Sequence, residues 1–211
     1  MPDKAREYDN FFNETYTLFK RVTSYAILLE KYGGGKVLVA SINELRGVLF
    51  HLYNFLDEEL SQENKQTVDY IEAKEHLFRS YYDLFSKLCA IFAEKIHGYQ
   101  TRYGVEIMTS VFPDYYQIIF PGLNKLKQDI SHVRSTRNMG KGISDNSDKN
   151  HAIIVQLLDW VDSLESLTLT FNKKAQAEKK KTRYIVMWMF ASAIVGALIA
   201  VILTYILMKP Q

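Results

Sequence analysis

Apolar side chains recur every three to four positions through almost the whole of this 211-residue chain, and no stretch alternates apolar and polar residues in the two-residue rhythm of a strand. The pattern predicts an all-α protein. A first helix is expected from Lys4 to Tyr32, with Tyr8, Phe12, Thr15, Phe19, Val22, Ala26 and Leu29 on one seam, stopped by Gly33, Gly34 and Gly35. A second, from Lys36 to Leu60, carries Leu38, Ile42, Leu45, Leu49, Leu52 and Leu56 at the same step. Polar residues Ser61 to Gln66 then turn the chain. A third helix from Val68 to Tyr103 shows Tyr70, Ala73, Leu77, Leu84, Leu88 and Ile91 on its seam. Pro113 and the Pro121-Gly122 pair divide the next stretch into a short helix, Asp114 to Phe120, and a longer one, Leu123 to Arg137. The run NMGKGISDNSDKN, Asn138 to Asn150, has glycines and small polar side chains and is expected to be an exposed loop. A last helix from His151 places Ile153, Leu157, Trp160, Leu164, Leu167 and Phe171 at helical spacing. Short connections between long amphipathic helices predict an antiparallel bundle over residues 1–137, completed by this last helix and its leader, 151–183.

Beyond it, Tyr184 to Met208 holds no formal charge and is rich in Ile, Leu, Val, Met and Ala. As a helix it covers the ~30 Å hydrocarbon core of a bilayer, so it reads as one C-terminal transmembrane span. Lys173, Lys174, Lys179, Lys180, Lys181 and Arg183 precede it, opposed only by Glu178, and Lys209 alone follows. The positive-inside rule then keeps the body in the cytosol, on a plasma or inner membrane, as in a tail-anchored protein. The same cations suit anionic lipid headgroups, at ~1 kcal/mol each near the surface. Within the span Ser192, Gly196, Ala200 and Thr204 recur every four residues, a small-residue stripe that lets two helices approach closely in lipid and predicts a homo-oligomer.

Composition narrows the functional classes. The chain carries +2 overall, but the leader contributes five net positive charges and Lys209 one, so residues 1–172 carry four net negative charges. A body of that sign excludes general nucleic-acid binding. Cys89 is the only cysteine, so no intrachain disulfide forms, and no Cys/His spacing of the zinc type occurs. No metal site and no cofactor is expected.

Folding the second and third helices back about a turn near residue 63 brings His51 near His76, Arg46 near Asp83 and Glu44 near Arg79, an ion-pair network that would fix their register. Arg134, Arg137 and Lys141 form a further basic group suited to an anion. Arg46 and His51 are spaced R-x-x-x-x-H, which resembles the catalytic motif of the HEPN family of helical ribonucleases. That resemblance implies an arginine and a histidine near a dimer interface acting on an RNA phosphodiester, with His51 as acid–base. Gly47 departs from the polar residue usual after the arginine, and the motif lies early in the chain rather than late.

No Ser/His/Asp set or carboxylate pair stands out from the periodic pattern. The leading expectation is a non-enzymatic, self-associating membrane interaction protein. It would act as sensor, adaptor or membrane-acting effector, for instance in bacterial defence, with a cytosolic partner or ligand not identified by the sequence. The alternative is a membrane-tethered HEPN-like ribonuclease.

Overall fold

A computed structural model describes residues 2–34, 38–56, 63–136 and 143–207. Among them are six α-helices and no strand: α1 (Pro2–Tyr32), α2 (Val39–Leu56), α3 (Glu63–Val111), α4 (Phe120–Thr136), α5 (Ile143–Ser166) and α6 (Thr168–Leu207). One π-helical segment, Tyr115–Ile119, precedes α4.

The helix α3 is the spine, because it touches α1, α2, α4, α5 and α6. A helix that packs partners on several sides needs apolar or small side chains around more than one stripe, and α3 supplies them. Ala73, Leu77, Tyr81, Leu84, Phe85, Leu88, Phe92 and Ile96 are all buried. Side-chain pairs give the directions. Facing residues of α2 and α3 have numbers that add to 120–123, as for Ser41 with Ser80, Glu44 with Arg79 and His51 with Asp69, so the two helices are antiparallel. Tyr25 packs on Tyr81 and Tyr32 on Phe92, so α1 runs parallel to α3. Lys95 with Glu165 and Tyr81 with Ser147 place α5 parallel to α3 as well. Thus α2 runs against α1 and α3, whereas α5 runs with α3 and α6 continues in the same direction, with Tyr99 and Tyr103 meeting Thr168 and Asn172.

Two glycines are demanded by geometry. Gly104 adopts φ 73°, ψ 171°, a conformation other residues reach only with strain, and it bends the end of α3 while Met108 stays buried beyond it. Gly122 lies against Trp160, whose ring would be 2.5 Å from a Cβ, so α4 and α5 approach through it. Pro121, lacking an N–H, starts α4 directly after the π turn, in which Phe120 donates to the Tyr115 carbonyl.

Several elements differ from the sequence expectation. The buried face of α1 is Thr15, Leu18, Val22, Tyr25, Leu29 and Tyr32, whereas Phe12 and Phe19 are exposed. On α2, Ser41, Val48 and Phe55 are buried while Ile42 and Leu49 lie outside. The cause is close helix packing. Ser41 and Ser80 exchange hydroxyl-to-carbonyl hydrogen bonds of 3.1 and 3.3 Å, and such an approach leaves no room for leucine at the centre of the contact. Residues 143–150, expected in an exposed loop, form the start of α5, with Ser147 and Asn150 buried against tyrosines; the remainder of that stretch, 138–142, lies outside the described residues.

The last bundle helix, α5, does not run unbroken into the apolar stretch. It turns once at Leu167, and α6 then begins with Phe171 fully buried and stacked 4.9 Å from Tyr103. From there α6 leaves the bundle. It is long and apolar enough to cross a membrane, with mean hydropathy 2.2 over its best window and none of that window buried.

The seam difference is testable by thermal unfolding of the detergent-solubilised protein. Phe85→Ala is expected to destabilise by ~3–5 kcal/mol. Phe19→Ala, although on the seam that periodicity picks out, should stay within ~0.5 kcal/mol. The reverse order would contradict this packing.

Candidate functional site

The densest polar cluster lies where α2 meets α3. Its organising residue is Gly47. A Cβ there would fall 2.7–2.8 Å from three atoms of the His76 ring, so only glycine lets that ring lie on the α2 backbone. From this position His76 Nδ1 reaches Glu44 Oε2 at 2.7 Å, and Arg79 Nε donates to the same oxygen at 2.9 Å. Arg79 also reaches Glu75, 3.4 Å away on the preceding turn. Burial alone would raise the Glu44 carboxyl; the hydrogen bonds from Arg79 and His76 outweigh it and hold the group below its ordinary value of 4.5.

The His76 ring stacks on His51, centroids 5.3 Å apart. His51 is half-buried and faces a carboxylate at each end, Asp69 Oδ1 2.8 Å from Nδ1 and Glu72 Oε2 3.1 Å from Nε2. His51, Asp69 and Glu72 are the residues here that could hold a cation. Sequence reasoning missed Asp69 and Glu72 because it paired the helices about one turn out of register, centring the hairpin near residue 63. A signal was present: Asp69, Glu72 and His76 fall at i, i+3 and i+7, one face of α3.

Arg46 does not join this cluster. At 100° per residue it stands ~140° from His51 around α2. It is exposed, and among the described residues it has no ion-pair partner; Asp83 is half-buried on α3. Arg46 and His51 therefore do not converge on one cleft within a single chain, and both nitrogens of His51 already face carboxylates.

A second polar cluster joins α1, α3 and α5. Arg21 binds Ser147 and Asp148, Tyr25 Oη lies 3.3 Å from His151 Nδ1, and Tyr81 donates to the Ser147 carbonyl at 3.3 Å. Burial pushes the Tyr25 and Tyr81 hydroxyls up and His151 down, so all three stay neutral at pH 7. Farther along, Tyr32 donates to Asp162 at 2.7 Å and Tyr103 to Asn172 at 2.8 Å.

The other sequence candidates are placed as follows. Lys173, Lys174, Lys179, Lys180, Lys181 and Arg183 are exposed on α6 ahead of the apolar stretch. Lys179 and Arg183 line a groove with Arg102 of α3. Ser192 donates to the Met189 carbonyl at 3.0 Å, and the space beside Gly196 is open. Ala200 lies one turn further along α6, and the side chain of Thr204 lies outside the described residues. So do the side chain of Arg134 and the whole of Arg137 and Lys141, and with them the proposed anion group.

Compared with known proteins, the chain matches no family model, no curated protein and no solved structure. The likeness to HEPN ribonucleases therefore rests on Arg46 and His51 alone.

Two outcomes follow. Gly47→Ala gains ~1 kcal/mol of helix propensity, yet it must evict the His76 ring, so the thermal midpoint should fall and the His76 ring resonances should shift; a raised midpoint would show that the ring moves aside freely. A carboxyl held below its ordinary value stabilises the fold fully above that value and loses this contribution as pH drops through the folded one. Between pH 6 and pH 3 the wild type should therefore lose more thermal stability than Glu44→Gln, and parallel losses would remove Glu44 from the balance.

Proposed function

We propose that this protein acts by association rather than catalysis: a bundle anchored by its C-terminal span, held in the cytosol by the basic leader, that self-associates and engages a cytosolic partner or ligand. The observation that carries the reading is the outward face of α2. Ile42, Leu49, Phe50 and Tyr53 are exposed there, the last three by 61–67%, on a helix outside the apolar part of α6. Arg46 is the only charged side chain among them. A contiguous apolar strip of this kind is costly in water, and each large side chain covered by a partner contributes ~1.5–3 kcal/mol. An arginine amid aromatic and aliphatic side chains is also the composition of an interface centre.

A second copy is the occupant that fits. The strip belongs to a chain whose span carries a small-residue face, Ser192 and Gly196 among it, suited to helix pairing in lipid. Two association surfaces on one continuous molecule reinforce each other, because pairing at one raises the effective concentration at the other. The α6 helix starts inside the bundle at Phe171 and continues into the apolar stretch, so assembly of bundles brings spans together. That coupling suits a sensor, adaptor or membrane-acting effector.

Light scattering of the full-length protein in detergent tests this. Leu49→Ser with Tyr53→Ser, both exposed and therefore compatible with folding, should reduce the oligomer, as should Gly196→Leu, and the combination should give monomer. An oligomer unchanged by the α2 pair would remove that face, and one unchanged by Gly196→Leu would remove the span.

A further inference from the structure

His51 sits between two carboxylates, 2.8 Å from Asp69 and 3.1 Å from Glu72. A neutral imidazole has one N–H and one lone pair, so it can donate to only one of them. At the other end a lone pair then faces a carboxylate oxygen at hydrogen-bond distance, which is repulsive unless a cation stands between. A second ring proton is one such cation, and a metal ion is another.

Two observations favour the metal. One ligand atom from each of His51, Asp69 and Glu72 lies within 4.8 Å of the other two. An ion takes only one nitrogen of the His51 ring, and the Glu72 side chain, 47% exposed, has room to swing so that its carboxylate joins that of Asp69 at the ~2.0–2.2 Å usual for zinc ligands. In addition, the Asp69 side chain is 7% exposed and its Oδ2 has no hydrogen-bond partner. Ring protons on His51 satisfy only Oδ1. The remaining oxygen is an acceptor cut off from water, a placement that costs free energy unless a cation or donor meets it.

We propose that His51, Asp69 and Glu72 form a binding site for a divalent cation of the zinc class, with water in the remaining positions. One imidazole with two carboxylates matches a borderline ion better than Mg²⁺, which favours oxygen ligands in strict octahedral geometry. Glu72 is 47% exposed and gives the ion a way in. The His51 ring is held for coordination by the stack on His76 and by the edge of Phe50, centroids 5.2 Å apart. Bound there, the ion clamps α2 to α3 beside their connection. The site is independent of self-association and would stand if that reading failed.

The test uses the full-length protein in detergent, stripped with EDTA and returned to metal-free buffer. Titration calorimetry with Zn²⁺ should give one ion per chain, and Zn²⁺ but not Mg²⁺ should raise the thermal midpoint. Glu72→Gln, an exposed change, should weaken Zn²⁺ binding at least tenfold, whereas His97→Gln, elsewhere on α3, should bind as the wild type does. Absence of Zn²⁺ binding, or equal binding by wild type and Glu72→Gln, overturns the site. Should Glu72→Gln unfold more readily even in EDTA, Co²⁺ decides in the wild type. Paramagnetic broadening of the His51 ring resonances at one equivalent supports the site, and unaffected resonances overturn it.

Discussion

The close approach of α2 to α3 is the constraint on which the rest of the body depends. It is made possible by small side chains on both helices: Ser41 and Ser80 exchange hydrogen bonds, and Gly47 admits the His76 ring where any Cβ would collide. Once the backbones are this close, the large side chains of α2 are forced to the flanks. Val48 and Phe55 remain inside, and Leu49, Phe50 and Tyr53 face out. One packing decision thus sets both the polar cluster and the exposed apolar strip.

The other side of α3 uses a different chemistry. Tyrosines of α1 and α3 are buried with their rings stacked, as Tyr25 on Tyr81 at 5.5 Å, and their hydroxyls reach polar groups of α5 and α6. A tyrosine buries a large apolar surface and still satisfies its hydroxyl if a partner lies at the rim. Asp162, Asn172 and the Ser147 carbonyl are those partners. The result is a specific register between helices whose apolar seams alone would tolerate sliding, and it holds the start of α6 in the bundle before the helix departs.

These two interfaces give the molecule a direction. At one end the α2–α3 hairpin concentrates carboxylates and histidines beside an exposed apolar strip. At the other, α6 carries six exposed cations and then an apolar helix with none of its best window buried. The two ends belong to one chain, joined by α3 and by the Phe171–Tyr103 stack.

The sequence by itself determined the helical class, the apolar C-terminal helix, and most of the seams of α3 and α5, because Leu77, Leu84, Leu88, Leu157 and Leu164 recur at a period only a helix can satisfy. It also brought Glu44 near Arg79 and His51 near His76, because side chains of this length reach across a register error of about one turn. Tertiary structure decided what periodicity cannot rank. Apolar residues on α2 exceed what the core can hold, so which of its faces is buried follows from where small residues let the α2 and α3 backbones approach. The polar run after Gly142 became helix where Arg21 binds Ser147 and Asp148 and Tyr81 donates to the Ser147 carbonyl, partners that lie far away in the chain. The meeting of His51 with Asp69 and Glu72 depended on a register shift of about one turn, a distance that local pattern does not encode and only the packing of two helices sets.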